Sequence, residues 1–117
     1  AAAPPVKVMA ARDIPTLWQG ERGGHARLLA GTSGPDMVEL WQWSLSPGEI
    51  FTSPGHGDGT TELLFVTEGA LTLTVNDASY VIVAGDSAVA RTDAPHSYAN
   101  AGDAVTRFTM TVSEKAR

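Results

Sequence analysis

Hydrophobic and polar residues alternate along most of the chain, in short runs separated by turn residues. The alternation is clearest in Met37–Leu45, where Trp41, Trp43 and Leu45 share one face. No stretch keeps the three- and four-residue apolar spacing of an amphipathic helix over a helix's length. Turn signals recur about every 8 to 12 residues, as in sandwiches and barrels, and 12 Gly and seven Pro supply them. We predict an all-β domain of about eight to ten short antiparallel strands, arranged as a double-sheet jelly roll or related barrel.

Further strands follow from the same alternation and from the turn residues between the runs. Asn76 and Asp77 favour a tight hairpin because both residues tolerate left-handed backbone. Glu114–Arg117 is expected to be a frayed polar tail. The other predicted strands are Val6–Met9, Ile14–Gln19, His25–Leu29, Ile50–Phe51, Glu62–Thr67, Ala70–Val75, Tyr80–Val83, Ser87–Arg91 and Val105–Val112.

The strand Glu62–Thr67 is apolar on both faces, which indicates cover on both faces. In so small a domain, another subunit is a candidate for the second cover. Glu62 lies on the same face as Leu64 and Val66, so we expect its carboxylate to point into the barrel. A carboxylate in an apolar interior requires a hydrogen bond, an ion pair or a metal. Glu62 is therefore the first candidate for a functional role.

Four side chains with metal-ligand chemistry are concentrated around this strand. His56, Asp58 and Glu62 follow the spacing H-x-D-x-x-x-E, and a later loop delivers His96. Imidazoles together with a carboxylate suit Zn, Fe, Mn, Ni or Cu, and two His with one carboxylate form a known iron-type triad. The alternatives are structural. The two histidines would then cap loops, Asp58 would form a turn, and Glu62 would accept hydrogen bonds from Tyr98, Thr60 or a backbone amide.

Composition excludes several classes of function. The 117-residue chain is 43% hydrophobic and lacks an apolar run of membrane-spanning length. It has no cysteine, which excludes disulfides and thiolate sites and fits a cytoplasmic location. The net charge is −5 and the basic residues are scattered, so the chain by itself is a poor nucleic-acid binder. Neither a nucleophile elbow of the G-x-S-x-G type nor a phosphate-binding loop is present.

The chain resembles the cupins in two paired motifs between about residues 40 and 112. The matching residues are Gly48, His56-Gly57-Asp58, Glu62 and Gly69 in the first motif, and His96 and Asn100, after Gly85-Asp86, in the second. The resemblance implies a jelly-roll barrel, the cupin double-stranded β-helix. It also implies a mononuclear site for one divalent ion (Zn, Fe, Mn or Ni), with His56, Asp58, Glu62 and His96 at the ligand positions. Asp58 stands where the second ligand histidine of the family normally lies, so an empty site is the alternative.

The closer resemblance is to one group of cupins. The runs PGHGDGTTELLFVTEGALTLTV and AGDSAVARTDAPHSYANAG are similar to the C-terminal sensor domains of bacterial helix-turn-helix regulators of the XRE type. That resemblance implies a homodimer that senses a small-molecule effector and reaches DNA only through an N-terminal domain not in this chain. Residues 1–10 would be the end of a linker, or an expression remnant, before a single domain at residues 11–117.

A ligand pocket in so small a barrel would be lined by residues of the core type. The candidates are Trp41, Trp43, Phe51, Tyr98 and Met110. A stand-alone metal-dependent enzyme, either a dioxygenase or an isomerase, is the main alternative to the sensor function. A structural dimerisation module with a closed, dry barrel is the third hypothesis.

Overall fold

The computed structural model describes residues 3–116, which form ten strands and one short 3₁₀-helix, Ala11–Asp13. None of the described helices is long and apolar enough to cross a membrane. The strands are β1 (Thr16–Gln19), β2 (His25–Gly31), β3 (Met37–Leu45), β4 (Ile50–Ser53), β5 (Thr61–Glu68), β6 (Ala70–Val75), β7 (Ala78–Val83), β8 (Ser87–Arg91), β9 (His96–Ala99) and β10 (Thr106–Glu114).

The strands form two antiparallel sheets that enclose one core. The larger sheet has the order β1-β2-β3-β10-β5-β8, and the smaller has the order β4-β9-β6-β7. Sequence neighbours β4 and β5 lie in different sheets, as do β7 and β8, so the chain crosses repeatedly between the two layers. The predicted all-β architecture of short antiparallel strands is confirmed.

Three local predictions were wrong. Val6–Met9 forms no strand, because the described residues offer it no pairing partner, and Val6 and Val8 are 71% and 84% exposed. The frayed tail was predicted to begin at Glu114, but Glu114 is the last residue of β10. Strand β9 was missed: it has only four residues, and its partners β4 and β6 are distant in sequence. The predicted linker starts at Ala1 and the predicted tail ends at Arg117; residues 1, 2 and 117 lie outside the described part of the chain.

The core lies between the two sheets, and aromatic rings form its centre. Trp43 is 3% exposed and its ring centroid lies 5.0 Å from Phe51, 5.0 Å from Tyr98 and 5.7 Å from Phe108. Edge-to-face and stacked ring pairs each contribute about 0.5–1.5 kcal/mol beyond their buried area. The remaining buried apolar residues are Ala26, Leu45, Leu64, Val66, Leu71, Leu73, Ile82, Ala90, Met110 and Val112.

Two residues of the sequence motifs fix turns. Gly69 connects β5 to β6 with a φ of +71°, and a Cβ at this position would lie 2.5 Å from the carbonyl oxygen of Val105. Only glycine satisfies both conditions. Asn100 is 2% exposed, and its side-chain amide donates to the carbonyls of Leu45 (2.9 Å) and Ala104 (2.8 Å). Its role in this structure is therefore to join the end of β3 to the loop before β10.

Candidate metal and ligand site

Two strands and one loop bring three of the predicted ligands together. Glu62 is the second residue of β5, His96 is the first residue of β9, and His56 lies in the loop between β4 and β5. One ligand atom from each lies within 4.8 Å of the others. Oε2 of Glu62 is 3.6 Å from Nε2 of His56 and 3.8 Å from Nε2 of His96. The inward orientation predicted for Glu62 is found, and its carboxylate is fully buried.

Hydrogen bonds tie the loop that carries His56 to the loop that leads into His96. The amide of His56 donates to the carbonyl of Thr92 (3.0 Å), and the amide of Thr92 donates to the carbonyl of Thr60 (3.1 Å). The carboxylate of Asp93 accepts from the amide of Gly59 at 2.9 Å. That hydrogen bond is the main reason why the pKa of Asp93 lies below its ordinary value of 3.8. The two loops therefore hold His56 and His96 in a fixed relation.

A hydrogen bond to one ring nitrogen of His96 leaves the other nitrogen free to donate an electron pair. Its Nδ1 lies 2.8 Å from the carbonyl oxygen of Ala94. A carbonyl only accepts, so in the neutral ring the proton is on Nδ1, and Nε2 carries the free lone pair. Nε2 is buried and has no hydrogen-bond partner among the described residues, and the same is true of Oε2 of Glu62. Two electron-pair donors thus face each other in the interior.

Tyr98 forms a hydrogen bond with the other oxygen of the Glu62 carboxylate. Its hydroxyl donates a hydrogen bond to Oε1 of Glu62. Burial, followed by the negative charge and the hydrogen bond of Glu62, raises the pKa of Tyr98 well above its ordinary value of 10.0. The phenol therefore remains protonated and orients the carboxylate, which leaves Oε2 directed toward the histidines.

Glu114 is a neighbour of the site that sequence reasoning missed. Its Oε1 lies 3.4 Å from Nδ1 of His56, on the opposite side of the ring from Glu62. A carboxylate in this position orients the imidazole and makes it a stronger ligand. The signal was the period-two pattern of β10, which continues from Met110 through Val112 to Glu114 on one face.

Asp58 does not join the group. It is exposed, in the turn that precedes β5, and it is not one of the three residues that converge. The turn is held by the amide of Thr60, which donates to the carbonyl of Gly57 at 3.1 Å. Two residues after His56 on a turning backbone, Asp58 is directed away from the interior. The alternative role as a turn former agrees with this placement.

A cavity of about 170 Å³ opens beside the three converging residues. All five predicted ligand-binding residues line it: Trp41, Trp43, Phe51, Tyr98 and Met110. Glu39 also lines it and was missed, although alternation along β3 puts it on the face of Trp41. At roughly 30 Å³ per water molecule, the cavity has room for about five waters. The barrel is therefore not filled by its own side chains.

The donor set fits a divalent metal ion. Two imidazole nitrogens and one carboxylate oxygen are the ligands of Fe(II), Mn(II) and Zn(II) sites. The unpartnered Nε2 of His96 and Oε2 of Glu62 are the atoms that such an ion would bind. The carbonyl of Ala94 and the carboxylate of Glu114 lie next to the remote nitrogens of the two rings, as the groups that orient ligand histidines do in metal sites.

Comparison with known proteins places residues 41–112, more than half of the chain, in the family described as the cupin domain. No curated protein sequence matches the chain. Among solved structures, the Cupin_2 domain of an XRE family transcriptional regulator from Enterobacter cloacae is 21% identical, with a TM-score of 0.62. The match covers 65% of this chain and 80% of that one.

Two further structures show that the fold is shared by proteins of different function. An HTH_3 family transcriptional regulator from Vibrio cholerae is 20% identical with a TM-score of 0.68; 77% of this chain covers half of that one. A protein from Thermotoga maritima, described as a predicted oxalate decarboxylase, is 19% identical with a TM-score of 0.67. That match covers 92% of this chain and 99% of the other. At these identities the similarity establishes the double-stranded β-helix fold alone.

Proposed function

This chain belongs to the cupin family, and from that premise we propose that it is a metal-assisted small-molecule-sensing domain of a bacterial transcriptional regulator. His56, Glu62 and His96 hold one divalent ion, and the effector enters the aromatic cavity next to it. DNA binding belongs to a helix-turn-helix domain outside this chain. The proposal has two parts, the metal-assisted binding site and the regulatory role, and each has its own support and test.

The observation that carries the binding site is the pair of unpartnered atoms, Oε2 of Glu62 and Nε2 of His96. Leaving a buried polar group without a partner costs about 1–3 kcal/mol, and more when the group is charged. Both atoms are electron-pair donors, and they lie 3.8 Å apart. A cation between them satisfies both, whereas another acceptor would repel both.

A bound divalent ion would supply a Lewis-acid centre with positions left for an exogenous ligand, since three protein ligands do not complete its coordination. The chain's own residues do the rest. Tyr98 orients Glu62, and Glu114 orients His56. The rings of Trp41, Trp43 and Phe51 provide an apolar wall against which a ligand can pack.

Metal titration of three matched proteins tests the binding site. All three tryptophans of the chain lie in or against the aromatic cluster, so their fluorescence reports on the site. We expect the wild type to bind one equivalent of Mn²⁺ or Zn²⁺. Glu62→Gln should weaken that affinity by at least about 100-fold, more than typical losses at orienting groups. Asp58→Asn, which alters an exposed carboxylate in the same segment, should leave it unchanged. Equal affinity in all three proteins would contradict the proposed ligands.

Support for the regulatory role comes from the motif resemblance and from the two regulators among the structural relatives. In such a protein the effector acts by binding one of two states of the regulator more tightly than the other. Sequencing the gene upstream of the codon for Ala1 tests this part. A reading frame that continues upstream into a helix-turn-helix domain supports it, and a start codon directly before Ala1 contradicts it.

A metal-dependent enzyme is the second candidate, and the incomplete protein ligand set favours it, because catalytic metals keep positions for substrate. The relative described as a predicted oxalate decarboxylase has the same fold over almost its whole length. Incubating the metal-loaded protein with small oxygen-bearing metabolites distinguishes the candidates. A compound that binds and is recovered unchanged supports a sensor, whereas turnover that Glu62→Gln abolishes supports an enzyme.

A further inference from the structure

The cavity beside the three converging residues has a second carboxylate in its wall. Glu39 is half-buried and lines the cavity next to Trp41. Its Oε1 accepts from Nε1 of Trp41 at 3.3 Å, and no cationic side chain among the described residues forms an ion pair with it. Nothing in the described part of the chain therefore balances this negative charge.

The strand registers place Glu39 opposite Glu62. Glu39 on β3 pairs with Val112 on β10, and Val112 pairs with Glu62 on β5. All three residues line the same cavity. Neighbouring strands are about 4.8 Å apart, so the Cα atoms of the two glutamates are separated by roughly 10 Å. The two carboxylates therefore face one cavity from strands on either side of β10.

The charges at the two sides of the cavity differ in sign once the metal site is filled. This step rests on the proposed function, in which a divalent ion is held by Glu62 and two neutral imidazoles. One carboxylate does not neutralise a divalent ion, so positive charge remains at that side, while Glu39 is negative at the other. A simple anion would be attracted by the ion and repelled by Glu39, whereas a zwitterion is attracted by both.

Aromatic rings form the wall beside Glu39. The ring centroid of Trp43 lies 6.3 Å from that of Trp41 and 5.0 Å from that of Phe51, and all three rings line the cavity. The face of an aromatic ring attracts a cation, and tryptophan does so most strongly. Aromatic faces next to an unpaired carboxylate are a suitable environment for an ammonium group.

The volume of the cavity limits the size of the ligand. The cavity measures about 170 Å³, the space of about five water molecules. Covalently bonded atoms lie closer together than neighbouring waters, so the cavity admits a ligand with a few more non-hydrogen atoms than that. Small amino acids and betaines have this size, whereas nucleotides and oligosaccharides are too large.

We propose that the ligand of this cavity is a small zwitterion, an amino acid or a betaine. Its carboxylate binds the metal ion held by His56, Glu62 and His96, and its ammonium group binds Glu39 and the aromatic faces. Glu39 is then the residue that selects a zwitterion over an anion of the same shape.

Two pairs of isosteric ligands test the proposal by calorimetric titration of the Mn²⁺-loaded chain. Glycine betaine is paired with 3,3-dimethylbutyrate, and 4-aminobutyrate with pentanoate. Within each pair, a carbon atom replaces the charged nitrogen and the carboxylate is unchanged. The first pair examines a quaternary ammonium group and the second a primary one. Glu39→Gln removes the proposed partner of the ammonium group. Asp58→Asn is the control, since it removes an exposed carboxylate that does not line the cavity.

We expect the wild type and Asp58→Asn to bind at least one zwitterion about tenfold or more tightly than its isostere. Glu39→Gln should bind Mn²⁺ as the wild type does but lose that preference. The comparison of isosteres in the wild type holds even if Glu39→Gln fails to fold, which circular dichroism shows.

Three results would overturn the proposal while leaving the metal site intact. They are Mn²⁺ binding with no affinity for any of the four ligands, equal or tighter binding of both isosteres, and a preference that Glu39→Gln retains. A wild type that takes up no Mn²⁺ overturns the proposed metal site itself and this inference with it. The metal titration reveals that result before any ligand is added.

Discussion

Replacing Glu49 by Gln should destabilise the fold by removing a buried carboxylate that joins two turns. Glu49 is 7% exposed and follows the turn between β3 and β4. Its Oε1 accepts from the amide of Ser46 at 2.6 Å, and its Oε2 accepts from the amide of Arg22, in the β1–β2 turn, at 3.0 Å. The side chain thereby fixes the hairpin that carries Trp18 against the aromatic cluster.

The magnitude follows from those two hydrogen bonds. A hydrogen bond to a charged group contributes about 1.5–3 kcal/mol. Glutamine keeps one acceptor oxygen but turns an amide NH₂ toward the other backbone N–H, so one charge-assisted bond is lost and a donor is left unpaired. We expect a loss of about 2–3 kcal/mol in the free energy of unfolding, or roughly 8–15 °C in Tm for a domain of this size.

Urea denaturation measures this loss, and the midpoint should fall without a change in the m-value. Glu68→Gln is the control. The Glu68 side chain is 59% exposed and lies 3.7 Å from Nε of Arg107, so its removal should change stability by less than about 0.5 kcal/mol. Equal stability of Glu49→Gln and wild type at neutral pH would show that the Glu49 carboxylate does not stabilise the two turns.

The pH dependence provides an independent check on Glu49. Burial raises its pKa, but the amides of Ser46, Arg22 and Gly24 outweigh burial and hold the pKa below its ordinary value of 4.5. The unfolded chain therefore binds the proton more readily than the folded chain. The stability that Glu49 contributes is present above pH 4.5 and is lost as the pH falls through the folded-state pKa. The difference between wild type and Glu49→Gln should shrink over that interval, and a constant difference would contradict this assignment.

Three further predictions concern the site and its supports. Tyr98→Phe removes the hydrogen bond to Oε1 of Glu62, so the metal affinity measured by titration should fall by about 10–100-fold. An unchanged affinity would show that the phenol does not orient the carboxylate. Asn100→Ala removes the amide that donates to the carbonyls of Leu45 and Ala104 and should cost about 2–4 kcal/mol in urea denaturation, whereas a neutral effect would contradict its joining role. Gly57→Ala would place a Cβ 2.2 Å from a backbone carbonyl of the C-terminal segment and should destabilise the domain by about 1–3 kcal/mol, while Gly31→Ala, with its nearest atom at 3.5 Å, serves as the tolerated control.

The alternation of polar and apolar residues correctly predicted the strands that bury one face in the core. Met37–Leu45, Ala70–Val75 and Ser87–Arg91 were predicted to the residue. In each, one face enters the core, so the period of two is strong. The same reasoning placed Glu62 inward. Strand β9 was not predicted because a four-residue strand has too few alternations to be recognised, and its pairing depends on strands far away in sequence.

The candidate site was predicted in its centre but not at its edges. His56, Glu62 and His96 converge as the spacing indicated. Asp58 was grouped with them by sequence proximity, but the direction of a side chain in a turn depends on backbone angles that spacing does not determine. Glu39 and Glu114 were missed for the opposite reason. They are distant in sequence, and only the period of their own strands connects them to the site.

Anomalous scattering from crystals soaked in Mn²⁺ or Zn²⁺ is the decisive test of the metal site, because it locates a metal independently of any ligand or activity. We expect one strong anomalous peak in contact with His56, Glu62 and His96, and none at this position in Glu62→Gln crystals. A soaked wild-type crystal with no peak there, or with metal only at exposed carboxylates such as Asp58, would contradict it.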